Sequence, residues 1–149
     1  MAFGIEFVRP PTLTGTAPYA YAAVTDPGRM VFTAGACPLD AEGATVAVGN
    51  VAGQARQVMA NLVEALAGAD AELTDVLKTT VFVATTDRRD LVAAWDVVRA
   101  AFGDHDAPST LVGVTVLGYP DQLVEVEAVA VRDSRREPAP PHDGPTGNA

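Results

Sequence analysis

The sequence predicts an α+β fold: a single mixed sheet covered on one face by two helices, in the order β-β-β-α-β-α-β-β. Two observations carry this. Two stretches repeat apolar residues at three- and four-residue steps, the period of a helix with one buried face. About six other runs are rich in β-branched and aromatic residues or alternate apolar with polar, and turn signals bound several of them. One layer of helices on one sheet buries both apolar sets.

Taken in order, "GIEFV" (4–8) is a short strand. "PYAYAAV" (18–24) and "RMVFTAGA" (29–36) flank "TDPG", a turn signal that predicts a hairpin between them. Asn50 precedes the first helix, whose stripe is Val51, Ala55, Val58, Met59, Leu62, Val63 and Leu66, with Gln54, Gln57, Asn61 and Glu64 on the other side. Gly68 sits near its end. "DVLKTTVFVAT" (75–85) is a strand. Asp87 is the N-cap of a second helix with the stripe Leu91, Ala94, Trp95, Val98 and Phe102. Strands over 109–117 and 123–131 close the domain, which spans 1–132. From Asp133 to 149 the chain is polar, rich in Pro and Gly and without period, the composition of a disordered tail.

The totals narrow the function classes. With 149 residues, 48% of them hydrophobic, the chain suits one domain with a sizeable core. The net charge is −9, and residues 1–131 hold six arginines and one lysine against sixteen acids. Phosphate neutralisation needs clustered Lys and Arg, so nucleic acid is not the expected partner. No apolar run approaches a membrane span, and "MAFGIEFVRPPT" has neither the basic region nor the apolar region of a signal peptide. One cysteine, Cys37, allows no internal disulfide and no thiolate zinc site within one chain. A cytoplasmic protein without membrane contact is expected.

In the last strand Val124, Val126, Ala128 and Ala130 form a small apolar face suited to lie under the helices. Val112, Val114 and Val116 are expected to do the same from the preceding strand. The opposite face carries Leu123, Glu125, Glu127, Val129 and Val131. It is too apolar for a face left in water and too charged for a sealed core. A subunit interface enclosing a wet cleft satisfies both, which predicts an oligomer.

The segments "APYAYA" (17–22), "RMVFTAGACPLDAEG" (29–43), "VAGQARQVMANLVEAL" (51–66), "DVLKTTVFVATTD" (75–87), "AAWDVVRAAF" (93–102) and "LVEVEAVAVR" (123–132) resemble, in order and spacing, the RidA/YjgF family of reactive-intermediate deaminases. The resemblance implies a chorismate-mutase-like subunit and a homotrimer with three small-molecule clefts between subunits. It also implies hydrolysis of enamines and imines to keto acids and ammonia, with neither metal nor organic cofactor. In such proteins an arginine holds the substrate carboxylate, a backbone N–H just after it assists, and a glutamate on the last strand positions or activates water. An imine carbon is electrophilic, so a placed water and a proton shuttle suffice, and a carboxylate serves both. Ribonuclease activity, also attached to the family's name, is disfavoured by the charge balance.

Carried over residue by residue, the glutamate falls on Glu125. Glu127 is structural or lies exposed at the rim. The arginine position is Pro108, with no arginine between Arg99 and Arg132. Ser109 and Thr110 keep the small polar pair that follows, and the Thr110 N–H is the matching backbone donor. Arg29, Arg88 and Arg89 are candidate stand-ins for the cation. Tyr19 either borders the cleft or packs in its strand. Gly35 marks a bulge or a close approach of ligand or backbone. Ala36 stands where the family often has Gln. Cys37 is a small buried strand residue unless His105, the one histidine in the folded part, reaches it. Phe82 and Trp95 are candidate apolar walls. Two functions follow: a deaminase-like hydrolase acting on an imine, enamine or related reactive metabolite, with 2-imino acids disfavoured by Pro108, or a non-catalytic trimer that binds a small metabolite.

Overall fold

The computed structural model describes residues 3–137. The elements are β1 (Ile5–Val8), β2 (Ala22–Thr25), β3 (Arg29–Phe32), α1 (Val51–Gly68), β4 (Val76–Ala84), α2 (Arg88–Phe102), β5 (Ser109–Val114) and β6 (Val124–Arg132), with a short 3-10 turn at Leu73–Asp75. This is the expected class and order, two helices on mixed β structure of six strands. Four strands pair in the order β3-β6-β4-β5, parallel only between β4 and β5, and β1 and β2 form a separate antiparallel ribbon. The expected hairpin across "TDPG" is not made. β2 pairs with β1, and β3 pairs with β6, Arg29 opposite Arg132 and Phe32 opposite Val129. The turn reverses the chain, but long-range partners take both edges.

The helices form where their caps and stripes place them. Asn50 Oδ1 accepts from the Gly53 N–H at 2.8 Å, and Asp87 Oδ1 from the Arg89 N–H at 2.9 Å, each satisfying a first-turn donor. Ala55, Val58, Leu62 and Leu66 of α1 and Ala94 and Val98 of α2 bury against Val81, Val83, Val124, Val126 and Ala130 of the sheet. Each fully buried leucine contributes about 2 kcal/mol. The small side chains of β6 let α1 lie close. Val63 of the expected stripe is 42% exposed. Gln54, expected on the solvated side, is fully buried.

Register decides which side chains reach the open face of the sheet. In β6 the expected set does lie under the helices, and Glu125 and Glu127 turn to the open face. In β5 the expectation fails. Thr79 and Val81, both buried, pair with Ser109 and Leu111, so these two face the helices; Val112, opposite Phe82, turns to the open face with Val114. Val116 lies beyond the strand, 77% exposed. The cause is the parallel pairing with β4, whose own core-facing residues set the phase. A bulge at Leu77 shifts β4 by one residue: Val76 pairs with Ala130 but Lys78 with Val129.

Of the expected tail, residues 138–149 lie outside the described residues. Residues 133–137 turn back on the body, where Arg136 pairs with Asp75 at 3.3 Å. Among the described residues no helix is long and apolar enough to cross a membrane.

Candidate functional site

Glu125 is half-buried between the fully buried Val124 and Val126. Its carboxylate lies over the Cα of Gly35. A Cβ added at Gly35 would overlap Oε1 and stand 2.6 Å from Cδ and 2.7 Å from Cγ. The close approach expected at Gly35 is thus made by the chain's own glutamate. Cys37 Sγ lies 3.5 Å from Glu125 Oε1 and 3.5 Å from the Gly35 carbonyl oxygen, so its one S–H donates to either. Ala36 and Val126 exchange backbone hydrogen bonds of 2.8 and 3.2 Å, pinning this segment to β6. Phe82 stands directly across from Glu125 on β4.

Burial pushes the Cys37 thiol up from its ordinary value, and Glu125 adds to this by repelling a thiolate and accepting the S–H; the Gln122 side chain works the other way. The thiol is therefore held as a donor to the carboxylate, rather than as a nucleophile. Glu125→Gln is expected to lower the apparent pKa of Cys37, because a fixed negative charge beside the thiolate is removed. The rate of iodoacetamide alkylation followed against pH measures it, and an unchanged midpoint would contradict the contact.

The frame around this group comes from side chains read as solvated or not singled out at all. Gln54 Oε1 accepts from the Leu123 N–H at 2.7 Å, and its Nε2 donates to the Asp121 carbonyl at 2.9 Å. Asn61 Nδ2 donates to the carbonyls of Cys37 and Leu39 at 2.8 and 2.9 Å. Gln122, 4% exposed, accepts from the Tyr119 N–H at 3.0 Å. Together they clamp the two loops that flank Glu125. A signal was present: Gln54, Gln57 and Asn61 are uncharged amides at positions where a solvated helix face usually carries Lys or Glu.

A second group lies across the sheet at the free edge of β5. Pro18, Tyr19, Trp95, Ser109, Thr110 and Leu111 line a groove of about 510 Å³. Tyr19 meets Trp95 edge to face, centroids 6.2 Å apart, so it borders the groove and stands outside any strand. The Thr79 N–H donates to the Pro108 carbonyl at 3.0 Å. By the even alternation of a parallel ladder, that phase turns the Thr110 N–H inward to Thr79. The free donors at the edge are then the N–H groups of Ser109 and Leu111, not that of Thr110. The Ser109 side chain is taken up by Thr79, at 2.7 Å. Thr110 Oγ1 accepts from Lys78 Nζ at 2.6 Å.

Glu125 and Thr110 share the open face but sit two strands and two residues apart, roughly 10 Å across and 7 Å along. The ten singled-out residues thus fall into two groups, Gly35, Ala36, Cys37, Phe82 and Glu125 in one, Tyr19, Trp95, Pro108, Ser109 and Thr110 in the other. Glu127 is exposed. The candidate cations join neither group: Arg89 is bound to Asp87 at 2.7 Å, and Arg29 and Arg88 are exposed at the starts of β3 and α2. His105 is far from Cys37 in role as well as place. Its Nε2 lies 2.7 Å from the Val76 carbonyl, and its ring packs on Phe7 and Phe102. Among the described residues no three His, Cys, Asp or Glu side chains gather as metal ligands.

A family model described as endoribonuclease L-PSP matches residues 12–132. The 2-iminobutanoate/2-iminopropanoate deaminase of Salmonella typhimurium is 36% identical over 114 residues, covering 75% of this chain and 87% of that protein. Among solved structures, the Rid-family protein YyfB of Yersinia pestis matches with a TM-score of 0.81 and 29% identity over 86% of this chain and 98% of that one. Escherichia coli TdcF with bound serine matches with a TM-score of 0.61 and 31% identity over 86% of this chain and 99% of that one.

Proposed function

The chain belongs to the family described as endoribonuclease L-PSP, the RidA/YjgF family, and from that premise we propose that it hydrolyses an imine, enamine or related reactive metabolite in clefts between the subunits of a cytoplasmic homotrimer. One observation carries the reading: the Glu125 carboxylate is seated over Gly35, beside a thiol that orients it, on the open face of the sheet with Phe82 directly across from it. A carboxylate so placed accepts a proton from water as the oxygen adds to the C=N carbon. That proton goes to nitrogen, the carboxylate then takes the proton of the new hydroxyl and passes it to nitrogen as well, and the C–N bond breaks as the C=O bond forms, releasing a carbonyl compound and ammonia. Relatives named as 2-iminobutanoate/2-iminopropanoate deaminases support the reaction class.

The trimer is supported by the separation of the two groups. A small substrate cannot touch Glu125 and the Tyr19–Trp95 groove of one chain together, whereas a neighbouring copy laid on the open face brings one chain's glutamate to another's groove. Exposed Met30 and Phe32 on that face, 48% and 74%, support it too.

A second reading rests on Pro108, which has no charge to offer a substrate carboxylate. It makes the chain a trimer that binds a small metabolite without turning it over. The two separate in one assay. 2-Iminopropanoate is generated enzymatically and its semicarbazone followed with and without the protein. The hydrolytic reading expects the wild-type chain to speed the loss of trappable imine and the Glu125→Ala chain to leave that loss at the rate seen without protein. Equal trapping with and without the wild-type chain sinks it in favour of the binder, provided a neutral imine of similar size is spared as well.

A further inference from the structure

The segment that carries Tyr19 has no strand to hold it. Residues 9–21 connect β1 to β2 and belong to neither, yet Pro18 and Tyr19 form one wall of the groove. Backbone bonds tie down the end of the segment: the Tyr21 N–H donates to the Val8 carbonyl at 3.0 Å, and the Ala20 N–H to the Asp106 carbonyl at 3.1 Å. The wall itself is held by a side chain that no sequence pattern singles out. Arg9 Nη1 donates to the Tyr19 carbonyl at 2.7 Å and to the Ala17 carbonyl at 3.3 Å, and its Nη2 donates to Asp106 Oδ2 at 2.6 Å. Asp106 stands just before β5, on the stretch that leads to Pro108 and to Ser109 of the opposite wall. One planar fork therefore joins both walls of the groove. The ion pair alone contributes little, since the Arg9 and Asp106 side chains are 40% and 34% exposed. The two carbonyls change that balance, because a guanidinium already fixed by one partner loses little further freedom in binding the others.

We propose that Arg9 is a positioning residue of the groove: it holds Tyr19 against Trp95, so that the wall is formed before a ligand arrives. This rests on the reading of the groove as one wall of a small-molecule cleft. The partners of Arg9 lie in or beside the groove walls, and none belongs to the group around Glu125. Its loss is therefore felt in binding and not in chemistry. A wall that is open part of the time receives ligand only in the fraction that is closed, and the apparent affinity falls by that fraction.

The test compares the full chain with Arg9→Met, which keeps the reach of the side chain and removes its donors. Amide hydrogen exchange reads the opening of the wall at the Ala20 N–H, which is buried and bonded to Asp106. Exchange there is expected to quicken about 3- to 30-fold, somewhat less than a fully desolvated charge-assisted bond would give. The core amides of α1 should exchange as before. Trp95 is the only tryptophan, so acrylamide quenching of the fluorescence reports directly on its cover by Tyr19 and should increase. KM for 2-iminopropanoate should rise by about the same 3- to 30-fold with kcat unchanged. Arg9→Lys keeps the charge without the fork and should fall between the two; it carries the same readouts if Arg9→Met does not fold. An arginine that only braces the fold would speed exchange in α1 along with Ala20 and leave KM alone. The proposal is overturned if Ala20 exchange and Trp95 quenching stay at their wild-type values, if they change while KM holds, or if kcat falls at an unchanged KM. A wild-type chain that hydrolyses no imine loses the hydrolytic reading, and exchange and quenching then decide for or against Arg9. A wild-type chain that turns over, with an Arg9→Met variant indistinguishable from it, loses only this inference.

Discussion

Gly35→Ala is expected to remove nearly all of the hydrolytic activity that Glu125 supplies, about 10²- to 10⁴-fold, while leaving the fold intact. The added methyl would occupy the space of Glu125 Oε1. What it meets is the far end of a flexible side chain, so the carboxylate swings away and the backbone stays. Gly35 is not among the positive-φ glycines, and alanine is not strained there. Alanine also narrows the unfolded ensemble, which contributes about 0.4–1 kcal/mol in the folded state's favour. The melting temperature should therefore shift by only a few degrees while turnover collapses. The same substitution made in Glu125→Ala should cost nothing further, because the carboxylate it displaces is already gone. Steady-state kinetics and thermal melts of the two single variants and the double variant form the cycle. A Gly35→Ala protein with wild-type turnover would falsify the claim that the seat of Glu125 matters. One that fails to fold would instead show that the glycine serves the backbone.

How far this site could be read from the residues depends on the range of the interaction. Helix caps and stripes are local, so Asn50, Asp87 and the buried faces of α1 and α2 were legible within a residue or two. The acids of "LVEVEAVAV" were legible because a two-residue period has only two faces, and theirs disagreed with its neighbours. Pairing was not legible. "TDPG" signals a turn equally well whether the flanking strands meet each other or, as here, β1 and β6. In "STLVGVTV" both faces carry apolar side chains, and only the parallel partner decides between Leu111 and Val112. The buried amides were misread for a related reason. A glutamine on a helix is ordinarily solvated, and Gln54 is buried because the distant backbone at 121–123 needs a donor and an acceptor there. Val76 is the same case in miniature: alternation back from the buried Thr79 would turn it to the open face, and a one-residue bulge at Leu77, invisible in the pattern of β4, returns it to the core.

Phe32→Glu is expected to convert the proposed trimer into folded, inactive monomers. Phe32 is 74% exposed on β3, an edge strand, with Met30 beside it at 48%, both on the open face with Val129. Rings this exposed contribute nothing to the isolated chain's core, so the substitution should leave the far-ultraviolet spectrum unchanged. In an assembly each buried Phe32 would contribute about 2 kcal/mol. A glutamate in the same place adds the cost of desolvating a charge without a partner, several kcal/mol more. Both terms count once for each of three subunits in one trimerisation equilibrium. A change of this size moves the midpoint from below micromolar to beyond any working concentration. Light scattering at micromolar protein reads the mass. A wild-type monomer would sink the interface argument outright, and a trimeric Phe32→Glu would place the interface elsewhere. Activity distinguishes more than mass does. If one chain's Glu125 serves another chain's groove, the folded monomer should hydrolyse nothing, although every side chain named above is present in it. A monomer that retains turnover would mean that one subunit completes its own site, and the distance between Glu125 and Thr110 would then need a substrate long enough to span it.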